Sequence, residues 1–488
     1  MYQKLIKNTS FYAFSSVLPQ LLNLVLLPLY TRYLNPTEYG IIALVQVYSL
    51  ILTILCGLSL HGSVSRFYVE YLDDEGRRKK FVSTIFFLLC LVAFFSLFLI
   101  DINGQRLINI LYSKNKMDYS PYFRIATWTA FLTILIQFLA AILIIEERAK
   151  DFFWASIISA FSITILTVLG VVILGKGVLG YLSAFLIGYI FSFIFYFYLT
   201  RKNFCLAFDR KLLKGPLNYS IPLIPHALSG YIFMYSDRII LERYVSLAAI
   251  GVYALADQVA RAFKMGVDNF NAAYSPHFLK TASQDKKLAV EQSNVLAELS
   301  VFFLCSLILI TSIFLPELSR IFIDPKYYMI WSMVPLLASA FIFRSLYCFS
   351  SAGLFFEKKT WRVFFITGTS AAVNIFLNLI FVPIYGVMTA VVTTFIAYLV
   401  MFVMSYSMAK DIFLTLTRYR KILYCLFVFF GLLAISYFLN FNLDRINFFN
   451  ALLLKFLLVL CYLFLMSKFL DYKTLIQNLY NFLKRRNT

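Results

Sequence analysis

Long apolar runs recur along this chain from one end to the other, and they restrict its fold more than any other feature. A helix needs about 20 apolar residues to cross the ~30 Å hydrocarbon core of a bilayer, whereas transmembrane β-strands alternate in segments of about ten residues. The longer runs found here therefore predict an all-α polytopic membrane protein with about 14 transmembrane helices. The predicted spans are 10–33, 40–67, 81–100, 121–145, 152–174, 178–199, 217–242, 247–275, 295–315, 329–352, 361–382, 386–409, 422–440 and 448–467.

Composition agrees with a membrane protein. Hydrophobic residues make up 61% of the chain and charged residues only 14%, against about 25% charged in an ordinary soluble protein. A net charge of +20 would suggest nucleic acid in a soluble protein, but here the excess of Lys and Arg in cytoplasmic loops explains it. We therefore expect no nucleic-acid partner. The seven cysteines are scattered without CxxC pairs, so neither a disulfide framework nor a metal site is indicated.

The distribution of basic residues predicts the orientation of the chain. With the N-terminus placed inside, 28 of the 44 Lys and Arg residues fall in loops on the cytoplasmic side. Cytoplasmic loops carry such an excess, so we expect a multi-pass protein of the cytoplasmic membrane with both termini inside.

The two halves of the chain resemble each other. Segment 32–44 recurs at 243–255, and segment 177–189 recurs at 386–398. Six predicted spans separate the copies, so both have the same orientation, and such parallel repeats suit alternating access with the substrate site between halves. The predicted domains are a six-helix bundle at 1–200, a basic cytoplasmic linker at 201–216, a second bundle at 217–410, and two appended helices with a basic tail at 411–488.

Several predicted spans contain ionisable residues. A charge at bilayer depth costs roughly 2.5 to 3.5 kcal/mol, so such groups usually face a protein interior or a water-filled cavity. Asp257, Arg261 and Lys264 are spaced i, i+4 and i+7 and share one helix face. Either they neutralise one another and lock helix packing, or they line a cationic cavity, which the surplus of positive charge favours. The other candidates are Asp237 and Arg238 in span 217–242, His61 and Arg66 in span 40–67, and Arg344 in span 329–352.

These further candidates have structural alternatives. Arg66 and Arg238 are long enough to reach the membrane surface, and a neighbouring carbonyl could satisfy His61. We expect Lys455 in the last span to face a lipid headgroup or a groove between helices. Nothing in the sequence resembles nucleophilic or metal catalysis, and no Walker A sequence is present. We therefore predict a protein that is not an enzyme and has no cofactor, driven by a proton or sodium gradient, the membrane potential or substrate flux.

Two stretches carry a resemblance to a known family. The first runs from Asn8-Thr-Ser-Phe-Tyr-Ala through Pro28-Leu-Tyr-Thr-Arg-Tyr to Glu38-Tyr-Gly40, and the second is Tyr235-Ser-Asp-Arg-Ile-Ile-Leu241 followed by Gly251-Val-Tyr253. Both resemble Wzx-type flippases for lipid-linked oligosaccharides, which are polysaccharide biosynthesis proteins of the multidrug/oligosaccharidyl-lipid/polysaccharide superfamily.

The resemblance implies a V-shaped, MATE-like bundle with a central cationic cavity. It also implies that undecaprenyl-diphosphate-linked repeat units cross the cytoplasmic membrane for O-antigen, capsule or exopolysaccharide assembly, with the bilayer, a polysaccharide polymerase and chain-length machinery as partners. By position, the cavity residues would be Arg66, Arg238, Arg261, Lys264 and Arg344, with Asp237, Asp257 and His61 in coupling or charge pairing. Many members are predicted with twelve spans, so the last two helices depart from the family pattern.

Three other functions compete with the flippase. A multidrug/cation antiporter of the same superfamily should have a net acidic cavity, whereas the spans here contain more Lys and Arg than Asp and Glu. A polysaccharide polymerase or ligase should carry a large outer loop, and the longest predicted one covers only about 101–120. A flippase for lipid II, the peptidoglycan precursor, would share the fold and often has fourteen spans, so the sequence separates it only weakly.

Overall fold

The chain folds as a succession of helices joined by short turns. The computed structural model describes residues 2–411, 413, 416, 417, 419–441 and 448–467, and no strand occurs among them. Contacts divide the chain into two compact units, Met1–Ala254 and Leu255–Thr488. The predicted domain boundaries at 200, 216 and 410 stay a prediction.

The first unit begins with eleven helices: α1 Tyr2–Val25, α2 Leu27–Tyr33, α3 Pro36–Gly57, α4 Leu60–Phe67, α5 Glu75–Ile102, α6 Gly104–Leu111, α7 Tyr122–Ile145, α8 Ala149–Val168, α9 Gly177–Thr200, α10 Lys214–Ser220 and α11 Leu223–Tyr244. The division between the units falls inside α12, which spans Leu247–Gln284. The second unit continues with α13 Lys286–Phe322, α14 Ile330–Phe356, α15 Thr360–Tyr385, α16 Val387–Ala409, α17 Tyr419–Phe441 and α18 Phe448–Ser467.

The membrane-spanning character predicted from the apolar runs is confirmed. Within the described residues, ten helices are long and apolar enough to cross a membrane: α3, α5, α7, α8 with the π-helical turn that extends it, α9, and α13 to α17. The other four predicted spans coincide with α1–α2, α10–α11, α12 and α18. Ionisable residues interrupt the apolar runs of α11 and α12, and the apolar part of α18 covers only Asn450–Met466. The protein is an all-α polytopic membrane protein.

Helix boundaries repeat between the halves of the chain. The break between Tyr33 and Pro36 recurs 211 residues later between Tyr244 and Leu247. Aspartates at the same offset cap the helices that follow: Asp74 accepts the N–H of Arg77 at the start of α5, and Asp285 accepts those of Lys287 and Leu288 at the start of α13. A side-chain acceptor at this position satisfies backbone donors that the first turn of a helix leaves unpaired. The repeat seen in sequence is therefore also a repeat of backbone structure.

Packing follows the same repeat. In the first unit α7 and α8 both pack against α9, and in the second unit α14 and α15 both pack against α16. The two appended helices belong to the second unit, where α17 and α18 both pack against α13. Lys455 of α18 is buried there and donates to both carboxylate oxygens of Glu317 of α13, at 2.7 and 2.8 Å. Lys455 thus lies in the interhelical groove rather than at a lipid headgroup.

Two glycines permit a close crossing of α3 and the first turns of α12. A Cβ atom on Gly40 would collide with the main-chain oxygen of Leu247, and a Cβ atom on Gly251 would collide with that of Pro36. Gly40 and Gly251 are 211 residues apart in sequence, and so are Pro36 and Leu247, whose main-chain oxygens they approach. The contact is therefore reciprocal: each repeat presents the same glycine and the same main-chain oxygen.

Candidate functional site

Four charged side chains follow one face of α12, and a fifth reaches them from α14. On α12, Arg261 pairs with Asp257 at 2.8 Å, and Lys264 donates to Asp268 Oδ2 at 2.7 Å. Arg344 of α14 donates through Nε and Nη2 to Asp268 Oδ1, at 3.1 and 3.0 Å. We call these five residues the α12 cluster. It contains three cations and two carboxylates, so its formal charge is one positive.

The α12 cluster is only partly covered. The side chains of Lys264, Arg344 and Asp268 are 18, 25 and 36% exposed, and Arg261 is also half-buried. The ring of Tyr347 lies 5.8 Å from the guanidinium carbon of Arg344. Charges in such a position keep some hydration, and their N–H groups can be reached by a solute. A partly exposed surface with one excess positive charge can bind an anion.

The second charged group of the prediction, Asp237 with Arg238, is closed off. Arg238 Nη1 lies 3.5 Å from Asp237 Oδ1, and the two side chains are only 3 and 9% exposed. Tyr253 Oη donates to the other carboxylate oxygen of Asp237. The guanidinium carbon of Arg238 lies 5.1 Å from the ring of Tyr235 and 5.8 Å from that of Tyr253. This α11 pair, together with its two tyrosines, is part of the interior of the first unit.

A further carboxylate near the end of α11 was not among the predicted site residues. Glu242 is fully buried, and its Oε1 accepts the backbone N–H of Asn115 at 3.0 Å and its Nδ2 at 3.3 Å. Lys114 donates to the main-chain oxygen of Tyr244. These contacts fasten the loop after α6 to the end of α11. The sequence gives no spacing signal for them because the partners are 127 residues apart.

Arg66 and His61 both lie on α4. Arg66 is exposed and pairs with Glu70 one turn along the chain, at 3.1 Å. His61 is exposed at the start of α4. Among the described residues, no ion pair or side-chain hydrogen bond joins either of them to another predicted site residue. By contrast, the structure joins Asp257 to Arg261, Asp237 to Arg238, and Lys264 to Arg344 through Asp268.

No metal centre is apparent in the part of the chain that the structure describes. There, no group of three or more His, Cys, Asp or Glu side chains could hold a metal ion. The α12 cluster supplies Arg and Lys donors beside carboxylates, and these donors can form ion pairs with an anion.

Comparison with known proteins identifies the family. A model of the polysaccharide biosynthesis protein family matches residues 5–282, more than half of the chain. The chain belongs to this family. The matched region contains α1 from residue 5 onward, all of α2 to α11, and both charged groups except Arg344.

Other comparisons fit a polysaccharide biosynthesis protein. The chain is 25% identical over 348 residues to the "Lsg locus putative protein 1" of Haemophilus influenzae, covering 68% of this chain and 81% of that one. Its fold is similar to that of lipid II flippase MurJ in an inward closed conformation, with a TM-score of 0.72, 19% identity, and coverage of 96% of this chain and all of the other. It also resembles an inward-facing MATE family multidrug resistance transporter of the MOP superfamily, with a TM-score of 0.60, 17% identity, and coverage of 80 and 95%. At these identities the likeness concerns the fold.

Proposed function

We propose that this protein is a flippase that moves undecaprenyl-diphosphate-linked oligosaccharide repeat units across the cytoplasmic membrane, for assembly of a surface polysaccharide. Membership of the polysaccharide biosynthesis family and a fold shared with transporters support a lipid-linked saccharide as cargo. The observation that carries the proposal is the α12 cluster, a partly exposed group of three cations and two carboxylates on α12 and α14.

The cluster suits the headgroup of such a lipid. A diphosphate carries about two negative charges, and Arg and Lys bind phosphate oxygens through charge-assisted hydrogen bonds. A guanidinium offers five N–H donors in a fixed fork, and an ammonium offers three. The diphosphate would therefore be held by Arg261, Lys264 and Arg344, and Asp257 would remain paired with Arg261. Arg66, Arg238, Asp237 and His61 remain candidates for contacts with the cargo or for coupling.

Transport would proceed by alternating access of the two repeats. With both termini in the cytoplasm, the repeat unit would be taken from the inner leaflet and delivered to the outer one. The energy would come from a proton or sodium gradient, the membrane potential or the flux of cargo, with no bound cofactor. A polymerase and its chain-length machinery would act on the delivered unit.

One alternative has an observation of its own. The similarity to lipid II flippase MurJ covers 96% of this chain and all of the other, so lipid II is the second candidate cargo. Both lipids present a diphosphate, and the α12 cluster alone would accept either. An organic-cation antiporter fits less well, because the excess charge of the cluster is positive.

The test is flipping in proteoliposomes. Purified protein is reconstituted with an undecaprenyl-diphosphate oligosaccharide or with lipid II, each placed on one leaflet, and the sugar that reaches the other leaflet is read by an impermeant oxidising enzyme. We expect the oligosaccharide lipid to move faster than in protein-free vesicles, and lipid II to move little. Movement of lipid II alone would favour the second candidate, and movement of neither would overturn the proposal.

A further inference from the structure

Asp268 lies between two cations that come from different helices. Its Oδ2 accepts from Lys264 of α12, and its Oδ1 accepts two N–H groups from Arg344 of α14. Both carboxylate oxygens are therefore engaged with groups that a phosphate would also use. The other carboxylate of the α12 cluster, Asp257, pairs with Arg261 of its own helix.

A carboxylate and a phosphate compete for such donors. Each offers two oxygens on one central atom to the planar fork of a guanidinium, and each attracts an ammonium. Arg344 cannot give Nε–H and Nη2–H to a phosphate while it gives them to Asp268. Bidentate binding of a diphosphate to the Nε–H and Nη2–H fork of Arg344 therefore requires Asp268 to leave that cation.

The surroundings of Asp268 make this exchange feasible. Removing one partner from a fully buried ion pair leaves an unpaired buried charge, which is strongly unfavourable. Asp268 is 36% exposed, more than either of its cations, so a freed carboxylate can recover hydration. At the α11 pair, where the side chains of Asp237 and Arg238 are only 9 and 3% exposed, the same exchange would be much less favourable.

We propose that Asp268 is an internal counter-ion that occupies the anion positions of Lys264 and Arg344 until the diphosphate of the cargo displaces it. This rests on the proposed function for the identity of the cargo, but its chemistry requires only a diphosphate. In this role Asp268 holds α12 to α14 when no anion is present, lowers the affinity for the headgroup, and returns to the cations to expel it. A positioning residue of this kind limits affinity and assists release.

The first experiment measures anion binding by the purified full-length protein in detergent, with inorganic pyrophosphate as the probe. Asp268→Asn removes the competing charge and should bind pyrophosphate about tenfold more tightly than wild type, which corresponds to about 1.4 kcal/mol. Asp268→Glu keeps the competitor and should stay within about twofold of wild type. Asp257→Asn is the matched control, because it adds the same charge on the same helix face while leaving Asp268 in place. We expect it to raise affinity by no more than about threefold, the effect of net charge alone.

The second experiment measures flipping of the oligosaccharide lipid in proteoliposomes. Tighter binding of the ground state without a matching gain in the transition state lowers KM and lowers kcat together. We expect this combination for Asp268→Asn and a return of both constants toward wild type in Asp268→Glu, which keeps a competing carboxylate. A residue that merely supports the fold would lower kcat without lowering KM. Asp268→Ser serves as a second neutral variant if the amide fails to insert.

The outcomes separate the two proposals. The counter-ion proposal would be overturned if Asp268→Asn bound pyrophosphate no more tightly than wild type, or no more tightly than Asp257→Asn. Tenfold tighter pyrophosphate binding by a protein that moves no oligosaccharide lipid would uphold the counter-ion and reject the proposed cargo.

Discussion

The α11 pair and the α12 cluster both join Asp to Arg, but their side chains are exposed to different extents. The side chains of Asp237 and Arg238 are almost completely enclosed and in contact with two tyrosines. In the α12 cluster, Asp268 and the cations around it keep between about a fifth and a third of their side-chain surface exposed. The charges of an enclosed ion pair must be satisfied within the protein, whereas those of an exposed pair can change partners. We therefore assign a structural role to the α11 pair and a role in anion exchange to the α12 cluster.

The largest effect should follow from breaking the enclosed pair. Arg238→Ala removes a buried cation that pairs with Asp237, and breaking a buried ion pair costs about 3–5 kcal/mol. We expect a marked loss of thermal stability and of folded yield in detergent. Lys264→Ala is the control, and it should unfold near the wild-type temperature because its partner Asp268 is 36% exposed and keeps its hydrogen bonds from Arg344. Equal stability of both variants would remove the distinction drawn between the two groups.

The next largest effect concerns transport through the exposed cluster. Arg261→Ala or Lys264→Ala removes charge-assisted hydrogen bonds worth about 1.5–3 kcal/mol each, so the flipping rate should fall about 10- to 100-fold while the protein still inserts. Arg261→Lys should keep partial activity if only charge is sensed and lose it if the fork geometry matters.

Initial rates in proteoliposomes check this second prediction, with Lys280→Ala, an exposed cation one turn beyond Pro276, as the control. Wild-type flipping rates in both alanine variants would show that the α12 cluster does not contact the cargo.

The smallest effect should come from a single hydroxyl at the enclosed pair. Tyr253→Phe removes one buried hydrogen bond to Asp237 Oδ2, at a cost of about 1–2 kcal/mol. The folded protein should transport at a rate close to wild type, since the tyrosine ring remains. Thermal unfolding measures the first effect and the flipping assay the second. A loss of transport larger than the loss of folded protein explains would show that the α11 pair belongs to the transport site.

The sequence predicted those features that depend on neighbours along one helix. Apolar runs located the spans because a bilayer fixes their length, and spacing i, i+4 anticipated the contact of Asp257 with Arg261. The sequence did not predict that Arg344 pairs with Asp268, 76 residues away, or that Lys455 pairs with Glu317, 138 residues away. Contacts between residues so far apart in sequence depend on which helices pack together. Nor did it distinguish the enclosed α11 pair from the exposed cluster, since both read as charges inside a span.

The reciprocal crossing at Gly40 and Gly251 also has an evolutionary meaning. Each glycine approaches a main-chain oxygen of the other repeat, which is the isologous arrangement of a two-fold homodimer. A half-length ancestor that paired with itself would have made this contact twice with a single residue. After gene duplication and fusion, the two copies can change separately, yet a side chain gained at either position strikes the backbone of the other repeat. The two glycines therefore constrain each other's evolution, and a tolerated change at one should be accompanied by a shift of the opposing helix.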